Sequence, residues 1–264
     1  REDINKFGVF PTGYMSTVTP DDALELYDGD LRLLDNQGKL LERFPSNKYL
    51  DYIAEHVESW SYLKFPYYKK LGWPKGVYRV GPLGRLNAVE KINTPLANEE
   101  HKIFKALNGG LPVENTLYFH YARLIETLFA LERVRILLDD PDILSTEIQN
   151  NHYNFQGEGV GVVEAPRGTL IHHYWAKENG QLERVNLIVA TGHNNYAMCE
   201  AVDQVAKTYI TSPDITEGQL NRVEAAVRAH DPCLSCSTHA IGQMPMVIDV
   251  VDMQDNLIKT IQRG

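Results

Sequence analysis

The sequence predicts an α+β fold with a helical bundle core that carries small antiparallel β-hairpins and sheets. Two observations predict it. Between Asn115 and Leu138 apolar residues recur at helical spacing over about six turns, long enough for a central bundle helix. On either side of the helical middle, stretches alternate apolar and polar residues around short polar turns, as hairpins do. At 264 residues the chain can build a sizeable core in one large or two small domains.

The elements follow in order. The stretch 25–44 alternates around Asp35, Asn36, Gln37 and Gly38, which predicts a hairpin and an exposed sheet near the start. Leu50, Ile53, Ala54, Val57 and Trp60 recur at helical spacing, so 47–60 reads as a helix capped by Ser46 or Asn47. Pro66, Pro74 and Pro82 interrupt 64–86, which reads as an ordered loop. Helices are expected over 98–107 and 115–138, the second packing through a stripe of Leu117, Tyr121, Leu124, Leu128 and Leu131. A shorter helix over 141–149 would take Asp140 as its cap.

The period then changes. Val, Ile, Thr and Tyr enrich 159–174 and 182–191, and the Glu178, Asn179, Gly180 turn between them predicts a second hairpin. Helices over 195–210 and 216–229 follow, the latter capped by Thr216. A terminal hairpin over 246–261 turns at Gln254, Asp255 and Asn256.

Composition narrows the function classes. The chain is 43% hydrophobic and 23% charged with a mean hydropathy of -0.32, as in ordinary soluble globular chains. A formal charge of -9 without a basic stripe argues against nucleic acid as a partner. No apolar run approaches the roughly 18 residues that span a bilayer. No basic region followed by an apolar stretch starts at Arg1, so no secretory signal is expected. Three cysteines do not make a disulfide framework, which favours a reducing, cytoplasmic compartment.

The chemistry concentrates at 231–239, Asp-Pro-Cys-Leu-Ser-Cys-Ser-Thr-His. Cys233 and Cys236 stand at the C-x-x-C spacing that lets both sulfurs reach one metal or each other. Asp231 suits a helix cap and Pro232 a first helical position, and such a terminus favours thiolates. On a helix Cys233, Cys236 and His239 diverge, so His239 points to a different ligand from the cysteines. A buried apolar pair, a redox disulfide and an under-provided zinc knuckle are the alternatives. Cys199, inside a helix pattern, reads as a buried apolar residue. The glycines of 157–168 lead into a strand rather than a helix, which excludes a nucleotide loop there. Arg167, between Pro166 and Gly168, stands on a stiff turn that could fix a guanidinium over a ligand; the plainer reading is an arginine paired with a surface carboxylate.

Together D-P-C-L-S-C-S-T-H at 231–239, E-A-P-R-G at 164–168 and R-V-G-P-L-G-R-L-N at 79–87 resemble the large, catalytic subunit of nickel-iron hydrogenases. A-T-G-H-N-N at 190–195 and A-I-G-Q-M-P at 240–245 look most like its bidirectional, NAD(P)-linked cytoplasmic group, as in cyanobacteria. The resemblance covers essentially the whole chain and implies the C-terminal part of that subunit's fold. By the same resemblance Cys233 is a terminal nickel thiolate, with the proton taken by Cys233 or by Arg167, Cys236 bridges nickel and iron, and His239 binds magnesium or a similar structural ion. Arg167 hangs over the open coordination position with Asp231 orienting it. Pro166 and Thr191 are cofactor-binding positions, Thr191 facing a diatomic ligand of iron, and Leu187 offers its carbonyl to the magnesium.

The family completes its four-thiolate site with a C-x-x-C nearer the N-terminus, and residues 1–230 contain none. The chain is therefore expected to be the C-terminal portion of a longer subunit, metal-free and inactive alone. Residues 1–239 would form that portion. Residues 240–264 would be the extension removed on maturation by cleavage between His239 and Ala240. The resemblance also implies an iron-sulfur small subunit, diaphorase subunits, a maturation endopeptidase and nickel-insertion proteins as partners, since the chain holds neither cluster cysteines nor a dinucleotide fingerprint. A scaffold or assembly relative with a structural zinc is the alternative function.

Overall fold

A computed structural model describes residues 2–150, 154–237 and 246–263. After a short helix α1 (Glu2–Lys6), strands β1 (Gly13–Val18), β2 (Asp30–Leu34) and β3 (Leu40–Pro45) form an antiparallel meander. Short strands β4 (Ile53–His56) and β5 (Phe65–Tyr68) pair with each other, and β6 (Tyr78–Arg79) adds parallel to β1, giving the sheet order β3-β2-β1-β6. Asp35 sets the β2–β3 turn, its carboxylate accepting from the N–H groups of Gln37 and Lys39 at 2.8 Å each. The opening sheet is not exposed as its alternation suggests. β1 and β2 are buried along nearly their whole length, because α3 (Gly81–Ala88) and a second sheet pack against β1.

The helix expected over 47–60 is one turn, α2 (Tyr49–Tyr52), entered through a 3-10 turn with no side-chain cap; its continuation is β4. Pairing with β5 overrides a pattern that periodicity alone favours. The expected loop over 64–86 holds β5, β6 and most of α3. Pro82 falls in the first turn of α3, where its missing N–H has no partner to lose.

Helix α4 (Pro95–Ala106) and helix α5 (Tyr118–Leu138) stand where helices were expected and pack together; of the predicted α5 stripe Leu117, Tyr121 and Leu128 pack against the core, but the fully buried face lies beside them. Phe119, Ala122, Ile125 and Phe129 are buried with Leu83, Leu86 and Phe104, whereas Leu124 and Leu131 of the predicted stripe are 68% and 63% exposed. The helix is apolar on more than one side, so periodicity could not choose between faces. Beyond it Asp140 caps a single 3-10 turn, Pro141–Leu144, instead of a helix reaching Gln149.

The segment 159–174 is two strands, β7 (Glu158–Ala165) and β8 (Gly168–Ala176), joined by the two-residue loop Pro166–Arg167; β9 (Leu182–Ile188) completes an antiparallel sheet β7-β8-β9. A helical turn α6 (Ala190–His193) and helices α7 (Asn195–Tyr209) and α8 (Glu217–Ala229) follow. Thr216 caps α8 in a reciprocal box with Gln219. One further turn, α9 (Leu234–Ser237), precedes the terminal hairpin β10 (Met246–Val251) and β11 (Leu257–Arg263). The predicted Asp231 cap does not form: α9 starts three residues later, and Asp231 sits in the left-handed region at φ 51°. His239, Ala240 and the 240–245 motif lie outside the described residues.

Candidate functional site

Four separated segments converge on one edge of the fold. The loop Pro166–Arg167 lies against the start of α3: a Cβ at Gly81, φ +77°, would sit 2.7 Å from the Arg167 carbonyl oxygen, and one at Gly168, φ +138°, would overlap Val80. Only glycine permits that approach. Asn194, just after α6, donates to the Val80 carbonyl at 3.3 Å and accepts from its N–H at 2.9 Å. The 79–87, 164–168 and 190–195 motifs are thereby three walls of one construction.

The fourth segment enters from α8. The left-handed Asp231 reverses the chain, and its N–H donates to the Arg228 carbonyl at 2.9 Å. Arg167 Nε–H donates to the Asp231 carbonyl, while the guanidinium lies 3.3 Å and 3.4 Å from the two carboxylate oxygens. Asp231 is thus the carboxylate partner of Arg167; with side chains 39% and 47% exposed, the pair also meets the plainer reading of an arginine paired with a surface carboxylate. Two residues on, Cys233 N–H donates to Thr191 Oγ1 at 3.0 Å, and the accepting hydroxyl keeps its own proton for a second acceptor.

The Cys233 and Cys236 sulfurs are joined as a disulfide, with Cα atoms 5.4 Å apart. A joined pair does not ligate metal; two-electron reduction releases two thiolates that can. Neither sulfur is sealed in apolar packing: Cys233 is half-buried and Cys236 exposed. Cys236 and Leu187 line one cavity of about 90 Å³ together with Glu55 and Lys64, whose Nζ is 3.3 Å from Glu55 Oε2. Two sulfurs fit one side of a thiolate-metal site. Among the described residues no group of three or more His, Cys, Asp or Glu converges to hold an ion, so these residues do not form a closed four-ligand zinc site. Cys199 is half-buried, and burial pushes its thiol above the ordinary range.

Two buried histidines, His193 and His230, flank the site's segments in chain order. Burial pulls His193 down to about 3 while its Nδ1 meets Tyr78 OH at 2.8 Å. His230, just before Asp231, is likewise pulled down to about 3 by burial. Both are neutral at physiological pH.

The structure thus gathers Pro166, Arg167, Thr191, Asp231 and Cys233 and sets Leu187 beside Cys236. Sequence reasoning missed Glu55 and Lys64, concealed in segments read as helix and loop. It also missed Arg85, Glu126 and Glu164, which brace the Pro166–Arg167 loop. The only signal for Arg85 was its place in R-V-G-P-L-G-R-L-N. Nothing in one sequence pairs it with Glu126, 41 positions away.

A family model described as nickel-dependent hydrogenase matches residues 19–239. The chain is 46% identical over 261 residues to the beta subunit of the NAD-reducing hydrogenase HoxS of Cupriavidus necator, covering 98% of this chain and 54% of that one. It is 41% identical over 266 residues to a chain of the vhc F420-non-reducing hydrogenase of Methanococcus voltae, covering 99% and 56%. The crystal structure of an NAD+-reducing NiFe-hydrogenase in the H2-reduced state superposes with a TM-score of 0.86 at 43% identity, over 90% of this chain and 53% of that one. A NiFeSe hydrogenase of Desulfovibrio vulgaris Hildenborough, 22% identical, shares the fold with a TM-score of 0.60, over 90% of this chain and 54% of that one. The chain spans about half the length of the curated relatives it matches.

Proposed function

The chain belongs to the nickel-dependent hydrogenase family, and from that premise we propose that it supplies one side of the catalytic centre of a hydrogenase that cleaves dihydrogen heterolytically and reversibly. The observation that carries the reading is the link of the Arg167 guanidinium to Asp231, two residues before Cys233, whose N–H is held in turn by Thr191. A structural zinc site gives no reason for such an arginine.

Reduced Cys233 and Cys236 would hold the nickel-iron pair, with two further thiolates from the part of the protein that relatives carry beyond this chain. The bound pair supplies Lewis acidity that polarises dihydrogen. Cys233 Sγ, as thiolate, is placed to take the proton. Arg167 keeps Nη donors directed by Asp231, so its charge is aligned before reaction, which lowers the reorganisation needed during it. Thr191 Oγ1 steadies the Cys233 peptide and keeps its proton for a diatomic ligand of iron. Leu187, through its carbonyl, and Glu55, which line the same cavity, would together with His239 hold a magnesium ion, which prefers oxygen ligands.

The HoxS relative is named as NAD-reducing. By analogy electrons leave this chain through an iron-sulfur small subunit to diaphorase subunits that reduce NAD(P), in the cytoplasm. Among the described residues no helix is long and apolar enough to cross a membrane. Residues 240–264 are the extension that a maturation endopeptidase removes after His239, once nickel-insertion proteins have acted.

Co-expression with the remaining portion and the partner subunits tests the reading. The wild type is expected to retain nickel and iron and to reduce NAD(P) with dihydrogen, with a mature terminus at His239 by mass spectrometry. Cys233→Ser is expected to lose nickel or turnover; full activity in that variant would remove Cys233 from the mechanism. The chain alone is expected to bind neither metal stoichiometrically.

A further inference from the structure

Arg167 stands on a loop whose orientation is set by a residue that the proposed chemistry does not use. Arg85, on α3, is 2% exposed, and a guanidinium has five N–H groups. All five are spent. Nε–H donates to Glu126 Oε1 at 2.6 Å and one Nη2–H to Glu126 Oε2 at 2.7 Å. The other Nη2–H donates to the Pro166 carbonyl at 3.0 Å. Nη1 donates to Glu164 Oε2 at 2.9 Å and to the Ala165 carbonyl at 2.8 Å.

Those two carbonyls belong to the consecutive peptide groups that lead into Arg167, so one side chain holds both peptide planes. The anchor is itself rigid. Glu164 Oε1 accepts from Thr17 N–H at 3.1 Å and Thr169 Oγ1 at 2.8 Å, and its side chain is fully buried. On the other side, the approach of Gly81 to the Arg167 carbonyl leaves the loop no room to rotate.

We infer that Arg85 is a positioning residue: clamped between Glu126 on α5 and Glu164 on β7, it fixes the Pro166–Arg167 loop so that the Arg167 guanidinium meets Asp231 in one orientation. Its functional meaning rests on the role proposed for Arg167, but its test does not involve dihydrogen, so either can fail without the other. Lysine cannot replace it. An ammonium has three donors and no planar fork, so it cannot engage two carboxylates and two carbonyls together.

The test uses the full chain with arginine labelled at 15Nε, the Arg167 signal being identified by its loss in Arg167→Lys. The 15N order parameter of Arg167 Nε–H is expected near the rigid backbone level of about 0.85 in the wild type and below about 0.6 in Arg85→Lys. Arg43→Lys is the structural control, since Arg43 clamps Asp22 and Asp30 elsewhere. It is expected to lower the melting temperature while leaving the Arg167 order parameter unchanged. Where Arg85→Lys does not fold, Glu126→Gln decides, because it leaves the buried Glu164 contact intact and removes only the outer carboxylate. Its Arg167 order parameter is expected to fall below that of the control. A folded Arg85→Lys or Glu126→Gln variant that keeps Arg167 as ordered as in the control would overturn the inference.

Discussion

Replacing Glu164 with alanine tests the electrostatic logic beneath the site, and its cost follows from what the carboxylate holds. Its side chain is fully buried, it pairs with a buried Arg85, and it accepts from Thr17 N–H and the Thr169 hydroxyl. Burial pulls Arg85 down, but Glu126 and Glu164 together outweigh it and hold the guanidinium more firmly protonated than usual. Burial pushes the Glu164 carboxyl up, opposed by Arg85 and by both hydrogen bonds. Breaking one member of such a pair costs about 3–5 kcal/mol, because the remaining charge stays buried. Glu126 still neutralises Arg85 and moderates that figure, whereas the orphaned Thr17 N–H adds about 1–3 kcal/mol. These contributions share a network and do not add fully, so Glu164→Ala is expected to cost about 4 kcal/mol. Glu164→Gln, which keeps an acceptor in place, is expected to cost about half as much. Urea unfolding followed by far-UV circular dichroism measures both, with Glu99→Ala in the exposed Lys102 pair as a reference expected within about 0.5 kcal/mol of wild type. A Glu164→Ala loss no larger than that reference would refute the reasoning.

Acid should weaken the fold through its buried histidines. His101, His193 and His230 have native values pulled down by burial to about 4, 3 and 3, below the unfolded value near 6.5. Each therefore contributes stability above pH 6.5 that is lost as the pH falls toward the native value, about 2 kcal/mol per histidine by pH 5. His101→Gln should accordingly narrow the gap between urea midpoints at pH 7.5 and pH 5, and an unchanged gap would count against a neutral buried His101. Alkylation should separate the thiols: before reduction only Cys199 is open to labelling, and slowly, whereas after reduction Cys233 and Cys236 label first; equal rates at all three would contradict the burial of Cys199. Thr216→Ala removes the α8 capping box and should cost about 1 kcal/mol in thermal unfolding.

Local rules were enough wherever an element depends on its own residues. The Thr216 cap, the Asp35 turn and the terminal hairpin require only neighbours in sequence, and each forms where its residues stand. Local rules failed where partners are remote. The 47–60 periodicity lost to strand pairing, the 64–86 prolines concealed α3, and α5 buried Phe119 and Ile125 in place of Leu124 and Leu131.

The same division runs through the site. Chemical identity was readable from residue types alone: two sulfurs at C-x-x-C spacing, an arginine between proline and glycine, and an aspartate beside the cysteines, with the family resemblance that these motifs carry. How they meet was settled by folding. The left-handed Asp231 beside Arg167, the Thr191 hydroxyl under Cys233, and Arg85 saturated by acceptors from α5, β7 and the loop after it depend on contacts between residues 41 to 81 positions apart. Residue type sets what a group can donate, accept or ligate. Only the packing of distant segments sets which group stands within reach.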